Sequence, residues 1–403
     1  MIDAVSRRNA RLVIAASFFG DLAFVLPIWL LYSTDYLNLS ATLSIVLFTG
    51  VWFMSAMFEI PTGALADRFG RKKLFMIGSG LMLLYPAAYI FGAPLYIFFP
   101  ILVIAGFGNS LISGSLVPLV HASYEQAGLS KKQYNKFLSQ SRVALFVARA
   151  LSGVLGAWLF TIKPWLPFLG WLLAIVCNIV IGSQLVEQRS SKTEGTFRAH
   201  IGTAFRAMRR SEIIIAALVS YVLINLVAEA IWTGYQLFYV QDGQSPLTIG
   251  LLFSAIAVFS AVAAYFVRHL YSRVSPATVM LCASALVTAT AFLLYQPNTT
   301  LRLAAIIPMA FASGCMAVTV SAVIQHIVPN KLQSTALSVY GVLVYVVYTV
   351  GSLWIGRVID VQGTDTGRQA VFITSVIVLG LVLAITLRTN NKHSFRLEDK
   401  DEV

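Results

Sequence analysis

The sequence predicts an all-α integral membrane protein with twelve transmembrane helices in two six-helix halves. Hydrophobic residues make up 58% of the 403-residue chain and charged residues only 11%, a balance that a water-soluble domain of this size does not show. A transmembrane helix needs about 20 consecutive apolar residues. The chain holds twelve runs of that kind, six on each side of a polar stretch near its middle.

The twelve apolar runs follow one another with short polar connections between them. The first run comes after three arginines, as the apolar segment of a signal peptide would, but it is longer and contains Asp21, so we expect a retained first helix. To within a few residues, the runs cover 11–33, 42–63, 74–93, 95–120, 137–162, 165–186, 212–240, 247–268, 276–296, 302–327, 333–358 and 369–388.

One long polar stretch interrupts the apolar runs. It lies between the sixth and seventh runs and is rich in Arg, Ser and Thr. The predicted segments are a first bundle (1–186), a cytoplasmic linker (187–211), a second bundle (212–390) and a cytoplasmic tail (391–403). Within the linker, the apolar residues share one helical face and the arginines take the others, which predicts an amphipathic helix on the membrane surface. That apolar face consists of Phe197, Ile201, Phe205 and Met208. A merely solvated linker is the alternative.

The formal net charge of +12 reflects membrane topology and does not indicate a nucleic-acid partner. With the N-terminus placed inside, the basic residues concentrate in the cytoplasmic connections. The outer connections hold only Lys163, Arg302, Arg357 and Arg368. This is the positive-inside bias, which places both termini in the cytoplasm. The remaining effect of the charge is attraction to anionic lipid head groups, so we expect membrane lipids as partners, and a monomer.

A compact charged segment lies between the second and third apolar runs. It reads Gly63-Ala64-Leu65-Ala66-Asp67-Arg68-Phe69-Gly70-Arg71-Lys72-Lys73. The apolar runs on both sides make it a short turn at the membrane surface, and its bases place that surface in the cytoplasm. The segment resembles the loop between the second and third helices of major facilitator superfamily transporters, whose signature is G-x-L-A-D-R-x-G-R-[KR]-[KR]. Every position of that signature is matched.

The resemblance implies the major facilitator fold, with two halves related by an axis along the membrane normal. In that family the Asp of this loop caps a neighbouring helix and meets basic residues between the halves when the transporter faces outward. The gating residues that the resemblance implies are Gly63, Asp67, Arg68, Gly70, Arg71 and Lys72, with Arg142 as a candidate partner. The preceding Glu59-Ile60-Pro61-Thr62-Gly63 resembles a bacterial subgroup, which implies the bacterial inner membrane.

Charged side chains inside a bilayer are costly unless they are paired or hydrated, so the few that occur are functional candidates. Those well inside the predicted spans are Asp21, Glu59, Glu229, Arg142 and Arg149. Asp21 and Arg149 each lie near the middle of a run, and we expect them to form a pair. The pair is either a permanent lock between two helices or an exchangeable contact that couples proton movement to transport.

Glu229 lies midway along the seventh run, on a face shared with Asn225, Trp232 and Gln236 at spacings of four, three and four residues. A polar and aromatic stripe on an otherwise apolar helix predicts a water-filled cavity, with Asp21 facing it from the first half. We predict Glu229 as a proton or substrate-charge site, with a buried structural carboxyl as the alternative. Glu59, one turn before its predicted helix end, is either a proton relay or a local hydrogen-bond anchor.

Aromatic residues form 12% of the chain, and several fall on faces that can line a cavity. No pair of bases lies at cavity depth as an organic phosphate would require. The pattern therefore favours an amphipathic or aromatic substrate over a sugar or a phosphate ester. The predicted cavity residues are Phe24, Asn109, Asn225, Trp232, Gln236, Tyr345 and Tyr348.

The sequence lacks the motifs of a nucleotide-driven pump or a metalloenzyme, and its three cysteines have no paired spacing. We expect no cofactor and no metal, and transport driven by a gradient. The resemblance to drug/proton antiporters implies proton-coupled export by alternating access. Because the fifth run lacks the G-P-x-x-G-G element of many antiporters, proton-linked uptake of a metabolite and lipid or lysolipid flipping stay open.

Overall fold

The computed structural model describes residues 2–187, 211–270, 274–328 and 330–390, and within these ranges the chain is helical and contains no strand. The first nine helices are α1 (Ile2–Asp21), α2 (Trp29–Asp35), α3 (Ala41–Phe69), α4 (Arg71–Met82), α5 (Leu84–Ile90), α6 (Leu95–Ser113), α7 (Leu116–Gln126), α8 (Lys131–Ile162) and α9 (Leu166–Ser183). The next six are α10 (Glu212–Gln241), α11 (Pro246–Leu270), α12 (Pro276–Tyr295), α13 (Thr299–Ala304), α14 (Ile306–Ile327) and α15 (Asn330–Asn390). The predicted linker helix and the tail lie outside the described residues.

The predicted fold class, an all-α bundle of membrane-spanning helices, is confirmed. Ten stretches of the described helices are long and apolar enough to cross a membrane. The last of them, Tyr340–Thr389, contains two of the predicted runs. They meet inside α15 at Gly363, whose φ of 84° breaks the helical geometry. The helix α1 is not among the ten, because its first half carries an acid and three arginines.

The first predicted span is not one continuous helix. The helix α1 ends at Asp21, and α2 begins only at Trp29. Between them the backbone makes short-range hydrogen bonds, with Leu26 N–H donating to Ala23 O and Ile28 N–H to Val25 O, both at 3.0 Å. Pro27 has no N–H and cannot extend a helix through this point. The break therefore lies within the predicted membrane depth, directly after Asp21.

Two glycines accommodate the broken segment. A Cβ on Gly156 would collide with the backbone carbonyl of Phe24, and a Cβ on Gly170 would lie 2.6 Å from the Phe24 ring. The segment is therefore packed directly on α8 and α9, in the way small residues permit close approach between membrane helices. Phe24, predicted to line a cavity, is in fact wedged against these two glycines.

The predicted turn around the charged segment is shorter than expected. The helix α3 continues through Pro61 to Phe69, and α4 starts at Arg71. Only Gly70 is left as the turn, with a φ of 93°, a conformation that glycine adopts without steric cost. Most of the predicted turn is thus the last part of a helix.

The chain divides into two compact units. Unit 1 comprises Met1–Glu194 and Gln244–Ser254, and unit 2 comprises Gly195–Gly243 and Ala255–Val403. The beginning of α11 belongs to unit 1 because it packs closely on α8. There, Ser254 Oγ donates to Ala150 O at 2.6 Å, and a Cβ on Gly153 would lie 2.6 Å from Gly250 O. The predicted two-bundle boundary stays a prediction.

A group of buried aromatic residues packs next to the broken first span in unit 1. Tyr85 Oη donates to Leu47 O at 2.8 Å, and Tyr32 Oη donates to Tyr89 O at 3.0 Å. The rings of Tyr89 and Phe168 stack with 4.6 Å between their centroids. Tyrosine suits such a core because its ring is apolar while its hydroxyl satisfies a buried carbonyl.

We expect Gly156→Ala to destabilise the protein, because its Cβ would push against the Phe24 carbonyl and overpacking costs about 1–3 kcal/mol. The measurement is the thermal unfolding midpoint in detergent. Gly80→Ala is the matched control, because a Cβ on Gly80 has open space within 4 Å. Equal midpoints for the two variants would contradict the close packing at the break.

Candidate functional site

The structure joins the two charges that the sequence predicts as a pair in unit 1. Arg149 Nε donates to Asp21 Oδ1 at 3.0 Å, which ties α8 to the end of α1. The side chains are 46% and 26% exposed, respectively. The pair is therefore not fully enclosed by the protein, and it ties the two helices together. Its predicted part in proton coupling stays a prediction.

Unlike Asp21, Glu229 has no cationic partner among the residues that the structure describes. It is half-buried near the middle of α10, and its Oε2 atom is shielded from solvent without a hydrogen-bond partner among the described residues. Tyr221 and Tyr348 lie within electrostatic range of its carboxylate. A shielded carboxylate oxygen without a donor is unusual for a polar atom inside a protein. The predicted role of Glu229 as a proton or substrate-charge site stays a prediction.

Two residues of the stripe predicted around Glu229 are buried. Asn225 is buried, and its Nδ2 atom donates to Tyr221 O at 3.1 Å and contacts Met316 S at 3.4 Å. Gln236 is fully buried. The Asn225 amide thus packs within unit 2, and the predicted contact of both residues with substrate stays a prediction. Trp232, whose ring lies 5.8 Å from that of Tyr235, is half-buried.

The aromatic residues of α15 lie beside the Glu229 region. The rings of Tyr340 and Tyr221 meet edge to face with 5.1 Å between their centroids. Tyr345 and Tyr348 are half-buried on the same helix. Their predicted contact with substrate stays a prediction, as does that of Trp232.

Glu59 lies farther from the end of its helix than predicted. Because α3 continues to Phe69, Glu59 is ten residues from the helix end, or about 15 Å at the rise of an α-helix. Hydrogen bonds to α6 form on both sides of Glu59 along α3. The hydroxyls of Thr62 and Ser110 lie 2.7 Å apart. Asn109 Nδ2 donates to Ser55 Oγ at 2.9 Å. The predicted cavity residue Asn109 thus contributes to helix packing, and Glu59 is half-buried at the edge of this polar contact.

The gating segment is described in part. Gly63, Asp67 and Arg68 lie in α3, but the surroundings of their side chains fall outside the described part of the chain, so their predicted roles stay predictions. Arg142 is exposed on α8, and its predicted partnership with the segment is likewise untested.

At the turn itself, Glu187 Oε1 accepts a hydrogen bond from the backbone N–H of Arg71 at the start of α4. Lys72 Nζ donates to Ser183 O at 2.7 Å. Residues at the end of the sixth predicted span thus stabilise the turn at Gly70, although they lie outside the charged segment.

Sequence reasoning missed Glu187. The only available signal was its place as the first acid after the sixth apolar run, and nothing in the spacing links it to Arg71. The fold makes the link, since a carboxylate satisfies a free amide at the N-terminus of a helix and interacts favourably with its dipole. Gly70 leaves the required space, because a Cβ there would lie 2.6 Å from Glu187 Oε2.

The chain is similar to known transporters in its family signature and in its fold. The family model described as Major Facilitator Superfamily matches residues 12–352 and, in a second match, residues 218–399. No curated protein matches the chain in sequence. Solved structures match over nearly the whole chain at 11–12% identity, which shows the fold alone.

Three of these structures illustrate the likeness. A variant of the nucleoside transporter NupG has a TM-score of 0.80 at 12% identity, over 94% of this chain and 99% of that one. A POT family transporter in complex with 5-aminolevulinic acid has a TM-score of 0.77 at 11% identity, over 94% and 96%. A bacterial homologue of the human lysosomal transporter Spinster has a TM-score of 0.73 at 12% identity, over 97% and 98%.

We expect Arg149→Ala to lower the thermal unfolding midpoint more than the double change Asp21→Asn with Arg149→Ala, because a lone charge within a span is worse than none. The midpoints of the wild type, both single variants and the double variant form a thermodynamic cycle. Strictly additive losses would show that the contact at 3.0 Å contributes no coupling energy.

We expect Glu187→Ala to weaken the turn, since loss of a helix-capping group costs about 0.5–2 kcal/mol. Hydrogen exchange of the amides at the start of α4 is the measurement, and exchange should become faster in the variant. Glu125→Ala is the control, because the Glu125 side chain is 70% exposed and pairs only locally with His121. Unchanged exchange at Arg71 would rule out the capping role.

Proposed function

The chain belongs to the Major Facilitator Superfamily, and from that membership we propose that it is a proton-coupled exporter of small amphipathic or aromatic organic molecules. As a member of the family it is a multi-pass membrane transporter of small molecules and not an enzyme. The proposal further places it in the bacterial inner membrane as a monomer, with both termini in the cytoplasm and the bundles formed by 1–186 and 212–390.

The observation that carries the proton-coupling proposal is the shielded Oε2 of Glu229, which has no hydrogen-bond partner among the described residues. An ionised carboxylate is expensive at this depth, so a proton taken up from water lowers the free energy of the closed site. Opening to water on the other side favours release. A group with that behaviour links proton movement to the conformational cycle.

Unit 1 contributes a second candidate for coupling, the contact between Asp21 and Arg149. It lies where the first span breaks, and discontinuous helices carry the substrate and ion sites in many transporters. Protonation of Asp21 would release Arg149 from its partner. Since Asp21 neutralises Arg149, the pair offers no free cation for a phosphate, which supports the preference for a substrate without a phosphate group.

Aromatic side chains support an amphipathic or aromatic substrate. Tyr221, Tyr340 and Tyr348 lie around the Glu229 region in unit 2, and aromatic faces bind organic cations and flat apolar groups. The transporters with similar folds are named for a nucleoside and for a complex with 5-aminolevulinic acid, both small organic molecules. Substrate identity is the first thing to measure, by a thermal-shift screen of the purified protein with cationic dyes, antibiotics, metabolites and lysolipids.

We expect Glu229→Gln to abolish uphill, proton-driven transport of ethidium in reconstituted vesicles while leaving downhill exchange, because glutamine keeps the shape and removes the titrating group. Glu125→Gln is the control, since its carboxylate is 70% exposed and pairs with His121 one turn away. Imposing the proton gradient in each direction separates export from uptake. Uphill transport with an unchanged pH profile in Glu229→Gln would overturn the role of this residue.

A further inference from the structure

A buried ion cluster lies at the end of unit 2 that the charge pattern places outside. Asp242, at the end of α10, accepts from Arg302 Nη1 and, at 2.8 Å, from Arg368 Nη2. Arg368 also donates to Asp365 Oδ1 at 3.1 Å. The side chains of Asp242, Arg302 and Arg368 are only 4%, 17% and 3% exposed, whereas Asp365 is 76% exposed. We call these four residues the Asp242 cluster.

The cluster fastens three separate helices. Asp242 follows α10, Arg302 belongs to α13, and Arg368 lies on α15 just after its break at Gly363. Arg368 Nη2 also donates to Phe238 O in the last turn of α10, and its guanidinium carbon lies 5.4 Å from the centre of the Phe238 ring. A cation at the C-terminus of a helix is favoured by the free carbonyls and the dipole.

The break in α15 brings its second segment onto the end of α10. Directly after Gly363, the Thr364 hydroxyl donates to Gln241 Oε1, and Gln241 Nε2 donates to Asp365 Oδ2 at 3.2 Å. On the other side, Tyr239 Oη donates to Arg302 O at 2.8 Å. The last turn of α10 is thus held by polar contacts from two directions.

Contacts between α10 and α15 continue from the cluster toward Glu229. A Cβ on Gly367 would lie 3.4 Å from the Phe238 ring, and a Cβ on Gly234 would lie 3.3 Å from Ile355. Next to these, the buried hydroxyls of Thr233 and Ser352 lie 2.7 Å apart. The two helices are therefore in close register along this whole stretch.

The last of these contacts, near Glu229, also brings α10 and α15 close together. A Cβ on Gly351 would lie 3.3 Å from the Cβ of Glu229 and 2.6 Å from Leu226 O. Sliding α10 along α15 would therefore break the polar contacts and move Glu229 relative to α15.

We infer that the Asp242 cluster fixes the register of α10 against α15 and thereby positions Glu229 beside Tyr348. The inference rests on the proposed function, because it assigns positioning residues for the same carboxylate. Asp242 lies thirteen residues beyond Glu229 on the chain, about 20 Å along a helix. The titratable groups within electrostatic range of Glu229 are Tyr221 on its own helix and Tyr348 on α15, so the cluster acts through helix position.

The test uses the full-length protein in vesicles, with ethidium transport measured across a pH series. Asp242→Asn removes the charge that two buried arginines share, whereas Glu125→Gln removes an exposed charge outside the cluster and serves as the control. We expect Asp242→Asn, but not Glu125→Gln, to shift the pH of half-maximal transport by about half a unit or more. Asp242→Glu should restore the wild-type profile, and Asp242→Asn should add no shift in the Glu229→Gln background.

Two further outcomes keep the inference separate from the proposed function. A lower unfolding midpoint in Asp242→Asn with an unchanged pH profile would overturn the positioning role and leave Glu229 as the coupling group. Proton-driven uphill transport by the single variant Glu229→Gln would contradict the proposed function itself, whatever the result for Asp242→Asn. Should Asp242→Asn fail to fold, Arg368→Lys replaces it, because lysine keeps the buried positive charge but cannot bond Asp242, Asp365 and Phe238 O together as the guanidinium does. An unshifted profile in that variant would overturn the inference.

Discussion

The absence of water in the bilayer interior is the constraint on which the rest of this structure depends. A backbone or side-chain polar group placed there must find a partner within the protein. Along the described chain, helices satisfy the backbone groups. Hydroxyl side chains donate to the backbone carbonyl one turn earlier. Thr49 bonds to Ile45 O at 2.8 Å and Thr319 to Cys315 O at 2.7 Å. The break after Asp21 obeys the same rule with its short-range backbone bonds.

Close helix packing follows from the same constraint, because apolar side chains gain little by leaving lipid for protein. Small residues and interhelical hydrogen bonds supply the attraction instead. In unit 1, Gly153 and Gly250 bring two backbones together beside the bond from Ser254 to Ala150. In unit 2, Gly351 does so beside the bond between Thr233 and Ser352. Each unit therefore has at least one contact of fixed register.

The acids singled out in the two units differ in whether a cation neutralises them. Asp21 has Arg149 as its cationic partner, and Asp242 has two arginines. Glu229 instead has a shielded oxygen for which the described residues provide no hydrogen-bond partner. The same helix, α10, leads from that carboxylate to the firmly held Asp242 at its end. The proposed coupling group therefore lies on a helix whose end is held in place by charged contacts.

The sequence by itself determined the class, the family signature, and the candidate charges Asp21, Arg149 and Glu229, because apolar length and the cost of charge in lipid are local properties of the chain. Only the tertiary structure decided which distant residues meet. Glu187 caps the turn at Arg71, and Asp242 gathers Arg302 and Arg368, although each lies at least 60 residues from its partners. The tertiary structure also placed Asn225 against Tyr221 and Met316, because burial on a helix face depends on which neighbour packs there and not on the periodicity of the face.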